Sequence, residues 1–198
     1  MENIRRTFTH EELSFVKECS ESINQNGNGN NTSNNTNVLE HPSMAGIKTF
    51  VQGHLNAYAK ALYGAGDKFD FYVTQSWFNY ANPGEYHMCH CHSNSLISGV
   101  LYINAVTGRD KVVFFPPQGI KDMVMFSPDD SEQTEYNAEF FNAKVNTGDL
   151  LMFKSSLYHA VDRVPGDSGA TRISLAFNSF VSGSLGGDKY LNHLKLPR

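Results

Sequence analysis

The chain has 198 residues, 40% of them hydrophobic, and its 16 basic and 20 acidic side chains leave a net charge of −4. This length allows one domain with a sizeable core. The mild acidity speaks against a nucleic-acid or membrane-surface partner. The sequence shows no apolar run of the ~18 residues that a membrane span needs, and its first residues lead into no apolar signal core. We therefore expect a cytoplasmic protein.

The cysteines are Cys19, Cys89 and Cys91, and their odd number argues against a disulfide framework. On a strand, Cys89 and Cys91 would face away from the histidines with which they alternate. We expect both to be small buried side chains, because no second Cys or His pair completes the spacing of a zinc site.

The first third of the chain has two helical patterns around a polar segment. Thr9 and Glu12 have the spacing of a capping box. Residues 24–37 include eight asparagines among fourteen positions, which predicts a flexible surface loop. Apolar residues then recur at helical period over 43–62 and stop before Gly64, which predicts a helix packed on the outside of a sheet.

After residue 66 the hydrophobic pattern changes to period two. The predicted strands are 69–80, 86–92, 97–104, 111–115, 123–126, 140–145, 150–154, 158–163 and 171–180. Many short strands with tight turns and no interleaved helices predict an antiparallel sandwich or barrel, and favour a double-sheet jelly roll. The acidic segment 127–139 is expected to be an exposed loop or a flap over a site.

Three of the eight histidines lie within residues 85–92. On an extended strand, His90 and His92 point to one face and His87 to the other. Two imidazoles on one face can chelate a metal if a third ligand comes from elsewhere. His159 lies in a predicted buried strand and could be a hydrogen-bonded core residue. Together with the His90/His92 pair, we interpret it as the third ligand.

An anion site is predicted beside this metal site. Arg172 and Ser174 are two residues apart on a predicted strand, so both project to one face, with Asn178 further along it. A guanidinium in an apolar strand is costly unless it meets an anion, and a carboxylate is its natural partner. Because the strands of His159 and Arg172 are hairpin neighbours, we expect metal and anion within one small molecule's length.

Four ordered motifs carry a family resemblance. They are Pro83-Gly84-Glu85-Tyr86 with His90 and His92, Ser98-Gly99-Val100-Leu101-Tyr102-Ile103-Asn104, Gly148-Asp149 with His159, and Arg172-Ile173-Ser174. Together they resemble the iron(II)/2-oxoglutarate dioxygenases, in the prolyl-hydroxylase-like branch, and within it uncharacterised oxygenases of phages and marine bacteria. The likeness covers roughly residues 69 to 180.

The resemblance implies a double-stranded β-helix (jelly roll) that holds Fe(II) through His90, His92 and His159. We therefore divide the chain into an N-terminal helical support (1–66), a catalytic core (67–180) and a C-terminal tail (181–198). The expected activity couples 2-oxoglutarate decarboxylation to the oxidation, by hydroxylation, of a small-molecule or peptidyl substrate. The identity of this substrate and the oligomeric state stay open.

The resemblance also implies a seat for 2-oxoglutarate as cosubstrate. In this seat Arg172 and Ser174 hold the distal carboxylate, and Tyr102 hydrogen-bonds it. Tyr80 or Asn79, on the strand before the histidine pair, is expected to line the same pocket.

Most members of that family carry Asp or Glu where this chain has His92. With a neutral imidazole in place of a carboxylate, the net charge of the metal site is more positive by one unit. Ligation by nitrogen alone favours iron, zinc, copper or nickel over manganese-like ions. The native metal, and whether this change alters the reaction, therefore stay open.

Two other functions are compatible with the histidines. One is a cupin-type three-histidine metalloenzyme that does not use 2-oxoglutarate, although it would leave Arg172 and Ser174 unexplained. The other is a non-enzymatic jelly-roll binding module.

Overall fold

The computed structural model describes residues 4–25, 29–64, 69–115, 140–164 and 169–197. The acidic segment 127–139 and the predicted strand 123–126 lie outside these ranges. The described residues form two helices, α1 (His10–Ser20) and α2 (Ala45–Tyr63), short 3₁₀ turns and eleven strands. The strands are β1 (Ile23–Gln25), β2 (Asn31–Ser33), β3 (Phe69–Ala81), β4 (His87–His90), β5 (Ile97–Asn104), β6 (Lys111–Phe115), β7 (Phe141–Lys144), β8 (Leu150–Lys154), β9 (Tyr158–Val161), β10 (Arg172–Leu185) and β11 (Leu194–Leu196).

Helix α1 begins where the capping box predicts, and helix α2 ends where Gly64 predicts. The Thr9 hydroxyl accepts the Glu12 N–H at 3.2 Å, and the Glu12 carboxylate accepts the Thr9 N–H at 2.9 Å, which completes the capping box. Helix α2 ends at Gly64, whose φ of 63° suits a residue without Cβ. Ile47 and Val51 on α2 are fully buried against the sheet, so the predicted packing of this helix is confirmed.

The strands form two antiparallel sheets. The larger has the order β1-β2-β3-β10-β5-β8, with β11 also paired to β10, and the smaller has the order β4-β9-β6-β7. The prediction of a mainly β chain with N-terminal helices is confirmed. The helices cover one face of the larger sheet, and the smaller sheet lies opposite its other face.

Alternation along the three central strands divides their side chains between these two layers. Apolar side chains face the helices, and these include Phe78, Leu101, Leu175 and Phe177. The residues between them face the smaller sheet, and these include Trp77, Asn79, Tyr102, Arg172 and Ser174. The fold therefore presents one apolar core and, across the same strands, one polar wall.

Part of the Asn-rich segment 24–37 is built into the sheet through β1 and β2, which corrects the prediction of a flexible surface loop for these residues, whereas residues 34–37 are exposed. Its strand β2 pairs with β3, and Asn31 and Ser33 are 3% and 2% exposed. Asn31 Nδ2 donates to Glu85 Oε1 at 2.7 Å, and Ser33 Oγ accepts the Phe78 N–H at 3.0 Å. Polar side chains can be buried here because each has a hydrogen-bond partner, which composition does not reveal.

Strand bounds differ from the prediction mainly at the ends. The strands predicted at 97–104, 111–115 and 150–154 are observed at those residues, whereas β4 ends at His90 rather than at residue 92. Strand β10 continues to Leu185 and pairs with β11, so part of the predicted C-terminal tail extends the sheet. The division into support, core and tail stays a prediction. No helix among the described residues is long and apolar enough to span a membrane.

Gly99 on β5 provides a test of the packing between sheet and helices. It lies opposite Phe177, and a Cβ at this position would overlap the Phe177 ring. We expect Gly99→Ala to lower the free energy of unfolding by about 1–3 kcal/mol through overpacking. Denaturant unfolding would measure the loss.

The matched control is Gly53→Ala, because Gly53 is exposed on α2 and a Cβ there meets no atom within 4 Å. This change should leave stability unchanged or raise it by up to about 1 kcal/mol. Equal stability of Gly99→Ala and the parent protein would contradict the described packing.

Candidate active site

A cavity of about 530 Å³, counting its open mouth, lies between the two sheets. Four histidines, one arginine and several neutral polar and apolar residues line it. The lining residues are Asn30, Trp77, Asn79, His87, His90, His92, Val100, Tyr102, Val112, His159, Val161, Arg172, Ser174 and Ala176.

Three imidazoles converge in this cavity. His90 on β4 lies directly opposite His159 on β9, and His92 follows β4 in a turn where its N–H donates to the Ser155 carbonyl at 2.9 Å. One potential ligand atom from each of the three histidines lies within 4.8 Å of the others. Within the described part of the chain, this is the one group of three or more His, Cys, Asp or Glu side chains placed to hold a metal.

Backbone carbonyls select the tautomer of two of these histidines. His90 Nδ1 lies 2.7 Å from the Met88 carbonyl and His159 Nδ1 lies 3.0 Å from the Leu157 carbonyl. A carbonyl can only accept, so both Nδ1 atoms carry a proton, and in the neutral ring the lone pair is then on Nε2. His92 Nε2 lies 3.3 Å from His159 Nε2. This is an arrangement that a shared cation would stabilise.

The imidazoles are held in the neutral form that metal binding requires. Burial, together with the neighbouring His159 and His90, lowers the pKa of His92 to about 4. Burial also lowers the pKa of His159 to about 4, although its hydrogen bond to the Leu157 carbonyl opposes the shift. At neutral pH both rings therefore offer lone pairs.

His87 also lines the cavity, which corrects the prediction that it points away from His90 and His92. Its ring stacks on that of His90 with centroids 4.1 Å apart. The pairing of β4 with β9 shifts register between His87 and His90, because three steps on β4 match two on β9. Such a bulge breaks the alternation of side chains and turns both histidines to one face. Burial and the neighbouring His90 lower the pKa of His87 to about 3.

Arg172 brings a buried positive charge to the same cavity. Only 7% of it is exposed, and its Nη1 lies 3.7 Å from Asp110 Oδ1. That carboxylate is already bonded by Arg109, at 2.9 and 2.7 Å, and by the Val106 N–H at 2.8 Å. Within the described residues, the Arg172 guanidinium makes no hydrogen bond. Burial lowers the pKa of Arg172 and Asp110 opposes this shift. The guanidinium has donors left for an anion.

Three other residues of the predicted cosubstrate seat line the cavity with Arg172. They are Ser174, Tyr102 and Asn79, and Ser174 pairs with both Asn79 and Tyr102 across the sheet. Burial raises the pKa of Tyr102, so its hydroxyl remains a donor at neutral pH. The predicted neighbour Asn178 instead accepts a hydrogen bond from Ser98 Oγ at 2.8 Å.

Tyr80 does not belong to the site, which corrects the prediction that it lines the pocket. It faces the helices, where its hydroxyl donates to the Val16 carbonyl at 2.7 Å. Asn79 and Tyr80 are adjacent on β3, so only one of them can face the cavity.

The cysteines are free, as predicted, but they are not both buried. Cys89 is exposed and Cys91 is half-buried, because β4 is an edge strand whose outer side chains point away from the cavity. The expectation of small buried side chains was therefore wrong for Cys89.

Sequence reasoning missed two residues of the cavity wall. Asn30 was assigned to a surface loop, and His87 was assigned to the opposite face. No periodicity signals a bulge, but a third histidine within the motif could have suggested that His87 belongs to the site.

The lowered histidine pKa values predict how the metal-free protein responds to acid. Below about pH 6.5 the unfolded chain protonates these imidazoles, whereas folded His92 and His159 resist protonation down to about pH 4. Stability should therefore fall as pH drops through this window. We expect thermal unfolding with a chelator present to show a declining Tm, and a shallower decline in His159→Gln.

The exposed His10 offers a control, since His10→Gln should keep the parental slope. Identical slopes for the parent protein and His159→Gln would show that His159 is not held neutral.

Solved structures share this fold over most of their length. HygX from Streptomyces hygroscopicus, solved with nickel, 2-oxoglutarate and hygromycin B, has a TM-score of 0.60 at 10% identity, over 90% of this chain and 80% of that one. A Pseudomonas putida prolyl-4-hydroxylase has a TM-score of 0.53 at 17% identity, over 85% of each chain. A Trichoplax adhaerens prolyl hydroxylase, in complex with a hypoxia inducible factor peptide fragment, has a TM-score of 0.55 at 13% identity, over 86% and 76%.

At these identities the likeness shows the fold, and the predicted jelly roll is confirmed. A search of curated proteins finds no match. The family model described as "Putative 2OG-Fe(II) oxygenase" matches residues 75–178, which is more than half of the chain and contains the three converging histidines and Arg172. The chain therefore belongs to the 2OG-Fe(II) oxygenase family and is an enzyme that uses iron(II) and 2-oxoglutarate.

Proposed function

We propose that His90, His92 and His159 hold the catalytic iron(II), and that Arg172 is the main anchor of 2-oxoglutarate. The observation that carries this proposal is that one cavity contains both three converging imidazoles and a buried guanidinium that makes no hydrogen bond to the described residues. The reaction couples decarboxylation of 2-oxoglutarate to hydroxylation of a small-molecule or peptidyl substrate. The cytoplasmic location predicted from the sequence is part of this proposal.

The donor set fits a divalent transition metal. In the neutral form His90 and His159 present an Nε2 lone pair, because their Nδ1–H groups are anchored on backbone carbonyls, as is usual for metal-binding histidines. Imidazole nitrogen is a good ligand for iron. When bound, the iron supplies the activation of dioxygen and the oxidative decarboxylation of 2-oxoglutarate to succinate and carbon dioxide.

The chain's own residues orient the cosubstrate. The Arg172 guanidinium forms charge-assisted hydrogen bonds to a carboxylate, and the hydroxyls of Ser174 and Tyr102 donate to the same group. Asn79 uses its Oδ1 to accept from Trp77 Nε1 at 3.3 Å, so its NH₂ group remains available to an anion. Burial of this wall strengthens each contact because water is excluded.

The presence of the anion seat argues against a cupin-type enzyme that does without 2-oxoglutarate. Such an enzyme would leave the buried Arg172 guanidinium, which makes no hydrogen bond to the described residues, without an anion to bind in its pocket. The family match argues against the non-enzymatic binding module.

The metal assignment is tested by removing one ligand. We expect His159→Ala to lower succinate release from 2-oxoglutarate, with iron and ascorbate present, by about 100-fold or more, because two imidazoles hold iron weakly. The control is His10→Ala, which removes an exposed histidine on α1 and should leave the rate unchanged. Turnover that survives in His159→Ala would exclude His159 from the site.

The cosubstrate assignment is tested at Arg172. Because the protein has a single tryptophan and Trp77 lines the cavity, its fluorescence reports binding there. In anaerobic titrations with iron(II), we expect Arg172→Met to weaken 2-oxoglutarate binding about 10- to 100-fold. This loss of affinity corresponds to the removal of one charge-assisted hydrogen bond. Arg109 still pairs with Asp110 in this variant, so folding should be retained.

The matched control is Arg163→Met, which removes an exposed arginine that stacks on Tyr86. It should bind 2-oxoglutarate like the parent protein. Stabilisation by the unreactive analogue N-oxalylglycine in a thermal-shift assay should likewise be lost only in Arg172→Met. A parent protein that N-oxalylglycine does not stabilise would favour the cupin-type function instead.

A further inference from the structure

The cavity wall has a buried carboxamide that the proposed function does not use. Asn30 lines the cavity with 4% of its surface exposed. Its Nδ2 donates to Asn79 Oδ1 at 3.0 Å. Its Oδ1 is buried and accepts no hydrogen bond from any of the residues that the structure describes. A buried acceptor without a donor costs about 1–3 kcal/mol, so it marks a place where a ligand group is expected.

Trp77 determines which amide atom of Asn30 is free. An indole N–H can only donate, and Trp77 Nε1 lies 3.3 Å from the Asn79 amide atom assigned as Oδ1. That atom must therefore be oxygen. Asn30 must then present its NH₂ group to Asn79, since two oxygens would repel. The free atom of Asn30 is consequently its oxygen, which needs a hydrogen-bond donor.

2-Oxoglutarate cannot supply that donor. At neutral pH it carries two carboxylates and a ketone, all of them acceptors, and its charge suits the donors of Arg172, Ser174 and Tyr102. The acceptor on Asn30 is therefore left for a water molecule or for a second ligand with an N–H or O–H group that would displace the water.

The charge of the cavity narrows the chemistry of this second molecule. Its described lining residues include one arginine and no carboxylate. A cationic ammonium donor would therefore meet no counter-charge in the described wall, and its desolvation would be uncompensated. A neutral donor, either a hydroxyl or an amide N–H, meets no such cost.

We propose that Asn30 is a substrate-recognition residue, whose Oδ1 accepts a hydrogen bond from a neutral hydroxyl or amide N–H of the primary substrate. Trp77 provides the aromatic surface beside it. This inference rests on the proposed function, because it assumes that 2-oxoglutarate occupies the Arg172 side of the cavity.

The test uses compounds that differ in the donor. One panel contains N-acetyl amino-acid amides, a second contains methyl glycosides, and the fully N- or O-methylated forms of each provide donor-free counterparts. For each compound, succinate release is measured with and without it, and the ratio of the two rates is the readout. We expect stimulation by members of one donor panel and none by the donor-free counterparts.

Substitutions then connect the stimulation to Asn30. In Asn30→Leu the stimulation ratio should fall about tenfold or more. The matched control is Asn31→Leu, which removes an equally buried amide that bonds Glu85 and does not line the cavity, and it should keep the parental ratio. Asn30→Ala removes the same acceptor without adding a larger apolar side chain, so it should lower the ratio likewise, and it covers the case in which Asn30→Leu fails to fold.

Three results would overturn the inference. They are an unchanged ratio in folded Asn30→Leu, equal stimulation by the donor-free compounds, and no stimulation by any member of either donor panel. The fluorescence titration of the parent protein with 2-oxoglutarate tests the proposed function separately. If the parent protein binds 2-oxoglutarate normally and any of the three results is obtained, the role of Asn30 is rejected and the proposed function stands.

Discussion

The antiparallel pairing of β4 with β9 places His90 directly opposite His159, and the rest of the site depends on this register. Residues opposite each other across such a ladder have Cβ atoms about 4.5–5.5 Å apart, so their rings can reach a common ligand without movement of the backbone. The Ser155 carbonyl holds the turn that carries His92 next to them. A slip of one residue would turn His159 to the outer face and remove the cluster.

The cavity combines imidazoles with one buried cation. An acidic residue at position 92 would cancel one charge of a bound divalent ion. The described lining has no carboxylate, so in the proposed site a divalent ion and Arg172 would together attract the dianionic cosubstrate more strongly. An imidazole in place of a carboxylate at this position therefore makes the net charge of the site more positive. Three side chains are still placed to hold a metal.

The polar wall of the larger sheet has two chemically distinct parts. Arg172, Ser174 and Tyr102 offer donors, whereas Asn30 offers an acceptor that is oriented through Asn79. A cosubstrate that only accepts hydrogen bonds fits the first part, and a substrate that donates fits the second. Asn30, which directly precedes β2, comes from the Asn-rich segment, so part of this low-complexity stretch lies at the wall of the cavity.

The sequence by itself determined the start of α1, the end of α2, most strands, and the three histidines and the Arg172/Ser174 pair as candidates, because these depend on local periodicity and on residue types with few alternative uses. Only the tertiary structure decided that a bulge turns His87 into the cavity, that Tyr80 faces the helices, and that Asn30 is buried. Each of these three outcomes depends on strand register or on a partner distant in sequence, and neither leaves a trace in the local pattern.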